Sequence, residues 1–349
     1  MRERRRRRTP RILPRPTQAR SVNAATDAAA VATIDSPETV AAVIVTYRRP
    51  DPLARLLESL SGSTHRPSLT VVVDNHGDDP ATRAVLDRVP FDLRYVPNPG
   101  NPGPGAGWKT GMQAALELVP PPGHLLLLDD DVVLPPDAIA ALLAAARIPD
   151  PAGAVAPLLC DAEGRLWGFP EPTDPALQKA IRAARTPLDC LDRIGPGPHP
   201  FAWCTGACVL VAREAVEACG FPRTDFRMLG EDLEYSMRIA AHLPARFAPT
   251  IVVPHLPPEP PDPQTARRGD ATKFLCLLQN LSYLAFHSPY SRHLRRYLAG
   301  NFRRWFNTHG WNHAGIAAAL AAFRLGALRG EPAGLPDGEA LRARYASRR

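Results

Sequence analysis

Short runs of consecutive apolar residues set the frame of this chain: Val40 to Val45, Val71 to Val73 and Leu125 to Leu128. Runs with no polar face read as strands covered on both sides. TVAAVIVTYRRP (39–50), LTVVVDN (69–75), FDLRYVP (91–97) and the run that ends in LLLLDDDVVL (125–134) are therefore predicted strands. Between them, apolar residues recur at helical spacing in PLARLLESLSGS (52–63), which Gly62 ends, and in ATRAVLDRV (81–89). A glycine-rich loop, NPGNPGPGAGWKTG (98–111), opens a further helix around 108–118. The order β-α-β-α-β-loop-α-β predicts an α/β fold, a mostly parallel, doubly wound sheet flanked by helices.

The pattern continues beyond the aspartates. PPDAIAALLAAAR (135–147) reads as a helix with proline at its first position, and AGAVAPLLCD (152–161) as a strand. Residues 161–200 are rich in proline, glycine and charge. They read as an inserted loop or lid with one helical patch at 175–185. FAWCTGACVLVAREAVEACG (201–220) reads as a strand, then a helix that Gly220 stops. GEDLEYSMRIA (230–240) opens a helix on acidic residues, which suits a helix N-terminus. FAPTIVVPH (247–255) is a strand ending at His255, and PPEPPDPQ (257–264) is a proline-rich linker into a helical remainder. The expected domains are a disordered tail over 1–37, a catalytic domain over 38–260 and a helical extension over 261–349.

The chemistry sits where strands end. Unpaired carboxylates are costly inside a sheet, so Asp129, Asp130 and Asp131 belong where their strand emerges. That rim is where ligands bind in open α/β sheets. Three hard oxygen donors there suit Mg²⁺ or Mn²⁺ holding a phosphate; a solvated acidic turn is the plainer reading. Thr46, Tyr47, Asp74, Asn75 and His255 also fall at strand ends. A parallel sheet brings the first four to the aspartates' crevice, and His255 joins them if its strand lies alongside. Asp74 suits a ribose or base contact, or an Asx turn. The glycine-rich loop, Gly105 included, suits close approach to a nucleotide, with Lys109 a phosphate contact or an ordinary surface lysine. Glu231, Asp232 and Glu234 offer a general base, or only complement the helix dipole.

Charge sharpens the class. The net charge of +7 conceals two basic ends. Residues 1–20 hold nine Arg and one Glu, and residues 292–349 hold eleven Arg and three acids. Each end carries +8, so the middle is near −9. A nucleic-acid-binding protein would show a basic face on its folded domain, and this core is acidic. The arginine-rich tail has no apolar segment after it, so it does not read as a secretory signal. HLRRYLAGNFRRWF (293–306) reads as a basic amphipathic helix on an anionic membrane, or as part of a packed helical subdomain. Six cysteines show no metal-binding or CxxC spacing, and reduced thiols in a cytoplasmic protein are expected.

Taken in order, VIVTYRRP, VVVDN, the NPGNPGPGAG loop, LLLLDDD, TGACVLVAREAVEACG, GEDLEYSMR and VVPH resemble the family-2 inverting glycosyltransferases of GT-A fold, in the style of the galactofuranosyl- and rhamnosyltransferase branch. The resemblance covers about residues 40–260. It implies that Thr46, Tyr47 and Asp74 hold base and ribose, and that Asp129 and Asp131, with His255, ligate Mn²⁺ or Mg²⁺. It also implies that Asp130 touches ribose or sugar and that Thr205, Gly206 and Ala207 line the donor-sugar and acceptor site. Asp232 matches the catalytic base, supported by Glu231 and Glu234. No QxxRW motif follows the acidic pair, which argues against a processive synthase, and prolines in the glycine-rich loop depart from the family pattern. The implied partners are a nucleotide-sugar donor and a glycan, glycolipid or small-molecule acceptor. Peripheral contact with the inner face of the plasma membrane and a homo-oligomer are also expected; nucleic acid is not. A sugar nucleotidyltransferase is the alternative enzyme, but VTYRRPD lacks the GxG…K signature expected after its first strand.

Overall fold

The computed structural model describes residues 39–168, 170–226, 228–257, 271–289 and 291–333. The arginine-rich tail and most of the proline-rich linker lie outside them. Strands β1 (Val40–Thr46), β2 (Leu69–Asp74), β3 (Leu93–Pro97) and β4 (His124–Asp129) pair in parallel in the order β3-β2-β1-β4. Their residues alternate between two buried faces. Ala42, Ile44, Leu126 and Leu128 pack with Leu53 and Leu56 of α1 (Pro50–Ser61) and Leu142 of α4 (Ala138–Arg147). Ala41, Val43, Leu125 and Leu127 meet Trp108 and Met112 of α3 (Pro104–Leu116) on the other face. Helix α2 (Pro80–Leu86) links β2 to β3. Burial on both faces is why these strands read as unbroken apolar runs.

The glycines of α3 serve this packing. A Cβ at Gly107 would lie 2.6 Å from the Val45 side chain, so only glycine lets the helix approach β1 this closely. Helix α4 begins later than the sequence suggests. Its first residue is Ala138, and neither Pro135 nor Pro136 is at the first helical position. The residues before it are held elsewhere: Val132 bridges His255, and the Pro136 carbonyl accepts from Thr64 N–H at 2.8 Å.

After β5 (Ala154–Cys160), the expected loop over 161–200 is mostly regular structure. It holds β6 (Leu166–Gly168), β7 (Glu171–Pro172), α5 (Pro175–Ala183), α6 (Pro187–Ile194) and the start of β8 (His199–Trp203). Helix α6 had a readable start: Thr186 caps it by accepting from Asp189 N–H, and Pro187 follows. The 201–220 segment contains two strands, β8 and β9 (Cys208–Ala212), before α7 (Arg213–Cys219). Strand β9 runs antiparallel to both β4 and β5 and separates them. Strand β10 (Ala245–Pro254) is parallel to β5, so the sheet reads β3-β2-β1-β4-β9-β5-β10-β8-β7, with β6 on β5.

Helix α8 (Glu231–His242) precedes β10. Beyond the linker come α9 (Ala271–His287), α10 (Ser291–His309), α11 (His313–Phe323) and a π-helical turn, Arg324–Leu328. Leu278, Leu281, Leu294, Leu298 and Trp305 of these helices form a core with Trp203, Leu233 and Met237. The apolar stripe of α10 is thus used within the fold. Asn280, fully buried, donates to the Met228 and Leu229 carbonyls at 3.0 and 2.7 Å and accepts from Ala333 N–H at 2.7 Å. It braces the loop that leads into α8. No helix among the described residues is long and apolar enough to cross a membrane.

Candidate active site

Strand order reverses between β1 and β4. Chain leaves the two strands toward opposite faces there, which opens a crevice at their C-terminal ends. Asp129 closes β4 beside Val45, one residue before Thr46. The condition set for His255, that its strand lie beside β4, is not met, because β9 and β5 intervene. His255 arrives by another route. The chain after β4 crosses the strand ends, where Val132 bridges His255, Val133 N–H donates to the Pro254 carbonyl at 2.9 Å, and Leu256 N–H donates to the Asp131 carbonyl at 2.7 Å.

This crossing gathers Asp129, Asp131 and His255, each with one ligand atom within 4.8 Å of the others. Asp131 Oδ1 lies buried 3.1 Å from His255 Nε2 and has no other polar partner. Two carboxylates and an imidazole, with that oxygen facing the ring nitrogen, fit a divalent cation. Trp167 of β6 stacks on His255, ring centroids 3.8 Å apart at 26°, and fixes the imidazole plane.

Arg49 is the residue that the sequence reading missed. Its guanidinium forks across the acidic run, donating to Asp130 Oδ1 at 2.6 Å and Asp131 Oδ2 at 2.7 Å. Thr46, expected at the base or ribose, donates its hydroxyl to Asp130 Oδ2 at 2.8 Å. These contacts split the three carboxylates electrostatically. Burial, reinforced by Asp131 and Asp130, pushes Asp129 up to about 7. Burial pushes Asp130 up to about 6 against the pull of Arg49 and Thr46. Burial acts on Asp131 too, but His255 and Arg49 hold it below the usual carboxylate range.

The Cys204–Ala207 turn joins this cluster to α8. The Ala207 carbonyl accepts from Asp129 N–H at 3.0 Å, and Gly206 N–H donates to Asp232 Oδ2 at 3.0 Å. Asp232 Oδ1 accepts from Leu233 N–H at 2.8 Å. Burial pushes Asp232 up, against these N–H bonds, and Asp232 in turn adds to the upward push on Asp129. Glu231 is buried beside Gly105, has one oxygen without a partner, and is raised well above the ordinary range by burial and by Asp232. Glu234 faces away, paired twice to Arg238 at 3.0 and 2.9 Å.

The remaining expected residues lie around the rim. Asp74 is fully buried; Oδ1 accepts from His76 N–H, and Oδ2 from Asp79 N–H and the Tyr95 hydroxyl. The Asx-turn bond weighed for it is present, made to His76. Asn75 pins the glycine-rich loop, donating to the Gly103 carbonyl at 3.0 Å and accepting from Asn98 at 2.7 Å. Tyr47 is exposed and edge-on to His76. Lys109 is half-buried on α3. Gly206 has no room for a side chain: a Cβ there would lie 1.8 Å from the buried Trp108 ring and 3.0 Å from Asp232 Cβ. Gly206→Ala is expected to cost about 1–3 kcal/mol through overpacking, read by urea denaturation; an unchanged midpoint would show that the turn yields freely.

Known proteins share this chain's sequence pattern and fold. Residues 37–268 match the sequence family described as "Glycosyltransferase like family 2". The chain is 40% identical over 80 residues to galactofuranosyltransferase GlfT1 of Mycobacterium tuberculosis, covering 23% of this chain and 26% of that protein. It therefore spans about a quarter of that relative's length. It is 28% identical over 212 residues to N-acetylglucosaminyl-diphospho-decaprenol L-rhamnosyltransferase of the same species, covering 56% of this chain and 69% of that one. The fold is similar to that of a Pyrobaculum calidifontis mannosyltransferase solved with GDP-Man and Mn²⁺, with TM-score 0.51, 19% identity, and coverage of 88% and 79%. It is also similar to S. aureus TarS in complex with UDP, with TM-score 0.53, 13% identity, and coverage of 82% and 80%. At these identities the structural likeness carries the fold alone, the GT-A architecture of a mostly parallel sheet flanked by helices.

Proposed function

This chain is a member of glycosyltransferase family 2, and from that membership we propose a metal-dependent, inverting transfer of a sugar from a nucleoside-diphosphate donor to an acceptor hydroxyl. The acceptor is a glycan, a glycolipid or a small molecule. The observation that carries the reading is the convergence of Asp129, Asp131 and His255 on one point, with Asp232 inside the same electrostatic field.

Asp129, Asp131 and His255 are the residues that would hold the cation. When bound, Mn²⁺ or Mg²⁺ supplies charge neutralisation for the diphosphate leaving group. Asp130 is held by Thr46 and Arg49 at the β1 end of the crevice, where it faces ribose or sugar in this reading. Tyr47 and Asp74 flank the base and ribose, and Gly105, Lys109 and Gly206 border the donor.

Asp232 is the general base. Its carboxylate keeps lone pairs beyond those taken by Gly206 and Leu233, and burial raises its basicity toward the range a base needs. It takes the acceptor's hydroxyl proton as that oxygen bonds to the anomeric carbon. The bond from that carbon to the diphosphate oxygen breaks with its electron pair, on the opposite face. One displacement inverts the centre, and no covalent enzyme intermediate forms. Glu231, its neighbour in the chain, is also pushed up by burial and by Asp232.

Arg49 is a positioning residue in this scheme. Arg49→Ala removes the guanidinium that Asp130 and Asp131 share. Because Arg49 is one-third exposed, the expected cost is discounted to about 1–2 kcal/mol. Differential scanning calorimetry with and without Mn²⁺ tests this: added Mn²⁺ recovers more of the variant's Tm than of the native protein's. Equal responses would remove the role. The reading as a whole is tested by the stereochemistry of transfer, followed by NMR of the product's anomeric proton.

A further inference from the structure

A second cavity lies outside the carboxylate crevice. It is a cleft of ≈ 870 Å³ between α5, β8 and α10, within the 300–1,000 Å³ range of small-molecule sites. Its basic lining comes from segments more than a hundred residues apart: Lys179 and Arg182 from α5, Arg296 and Arg304 from α10. Trp203 and Tyr297, ring centroids 5.1 Å apart, form part of its wall. Its acid, Glu171, is already paired with Arg182 at 2.5 Å. Four cations against one engaged carboxylate leave a local charge of +3.

The middle of the chain is acidic, so this concentration of positive charge is local. Long cationic side chains facing one another across a cleft repel, and they raise the local concentration of anions there. Guanidinium groups also match the oxygen geometry of phosphate. The cleft backs onto the machinery already described. Trp203 ends β8 three residues before Gly206, whose N–H holds Asp232, and it shares a core with Leu233 and Met237 of α8. Burial pushes the Tyr297 phenol up, and the Asp232 carboxylate adds to that push. A ligand held between α5 and α10 would thus sit against the Trp203 wall, whose other neighbours are the α8 residues that follow the proposed base.

We propose that this cleft binds a phosphate or diphosphate ester carried by the acceptor, and thereby delivers the acceptor's hydroxyl to Asp232. The inference deepens the sugar-transfer reading and rests on it for the word acceptor; the anion site itself does not. It gives the acceptor a chemical class, a phosphorylated alcohol or glycan, where the carboxylate crevice says nothing of it.

Isothermal titration of the full chain with inorganic pyrophosphate in EDTA tests the site with metal-dependent donor binding silenced. The comparison is with the double variant Lys179→Glu/Arg296→Glu, both of whose native side chains are exposed; circular dichroism and Tm check that it folds. Binding to the native chain that falls at least tenfold in the variant supports the proposal. Any contribution of the arginine-rich tail is common to both proteins and cancels. No binding, or equal affinity in both, overturns it. A parallel titration with geranyl diphosphate separates the sources: affinity above pyrophosphate's points to a prenyl-borne diphosphate, equal affinity to a soluble phosphate ester. Nucleotide-sugar stabilisation with Mn²⁺ is measured on the same proteins. If that arm fails while pyrophosphate still distinguishes the two chains, the sugar-transfer reading falls and the anion site stands.

Discussion

Asp232→Asn is expected to bind the donor with native affinity and to lose transfer by on the order of 10²–10⁴-fold, the usual worth of a general base. The substitution keeps shape and one acceptor oxygen, so one of the Gly206 and Leu233 N–H bonds survives. The other loses its partner, at about 1 kcal/mol of stability. Donor affinity, read by calorimetry with Mn²⁺, separates this from a folding defect, and kcat carries the loss. A variant with full turnover would show that another group takes the proton. Glu231 would then be the next to test, since its carboxyl is buried next to Asp232 and burial pushes its proton affinity up.

Asp131→Asn is the second large effect. Asp131 is the carboxylate kept ionised, and it touches both His255 and Arg49. In the proposed scheme its loss removes one cation ligand and one of the two carboxylates that hold Arg49. Metal assistance of this kind is worth several kcal/mol, so transfer falls by on the order of 10³-fold, about 4 kcal/mol of barrier. The signature that sets it apart from Asp232→Asn is donor binding. Here the metal-dependent part of donor affinity disappears, whereas in Asp232→Asn it persists. Unchanged Mn²⁺ dependence in Asp131→Asn would remove Asp131 from the ligand set.

Much of this site was readable along the chain, because it is built from strand ends. An apolar run that stops in carboxylates can place them in only one kind of environment. Asp129 to Asp131 after Leu125–Leu128 therefore announced a rim position without any tertiary information. Asp74 after Val71–Val73 did the same, and both end parallel strands on one edge of the sheet. What periodicity does not carry is strand direction. Cys208–Ala212 is buried throughout and reads like any other covered strand, yet it inserts antiparallel between β4 and β5. That insertion separates His255's strand from β4, and only the crossing at Val132 restores the contact.

The contacts that were not legible join residues far apart. Arg49 meets its carboxylates across 81 and 82 positions, and RRP gives no sign of which arginine turns inward. Trp167 lies in a segment that read as an inserted loop or lid, so its stacking on His255 had no local signal. Helix α6 did have one, in Thr186, Pro187 and Asp189, masked by the surrounding proline and charge. The basic helix over 293–306 had two readings. Burial of Leu294, Leu298 and Trp305 shows its apolar stripe serving the packed one.

The most direct test of the proposed metal-dependent sugar-nucleotide site is a thermal-shift screen of the native chain against a panel of nucleotide-sugars, in Mn²⁺, in Mg²⁺ and in EDTA. A donor at one hundred times its Kd stabilises by about 2.7 kcal/mol. The account predicts at least one nucleotide-sugar that raises Tm by several degrees with a divalent metal, that loses the shift in EDTA, and that loses it again in Asp131→Asn. A panel with no metal-dependent shift, or a shift that survives both EDTA and Asp131→Asn, would contradict it.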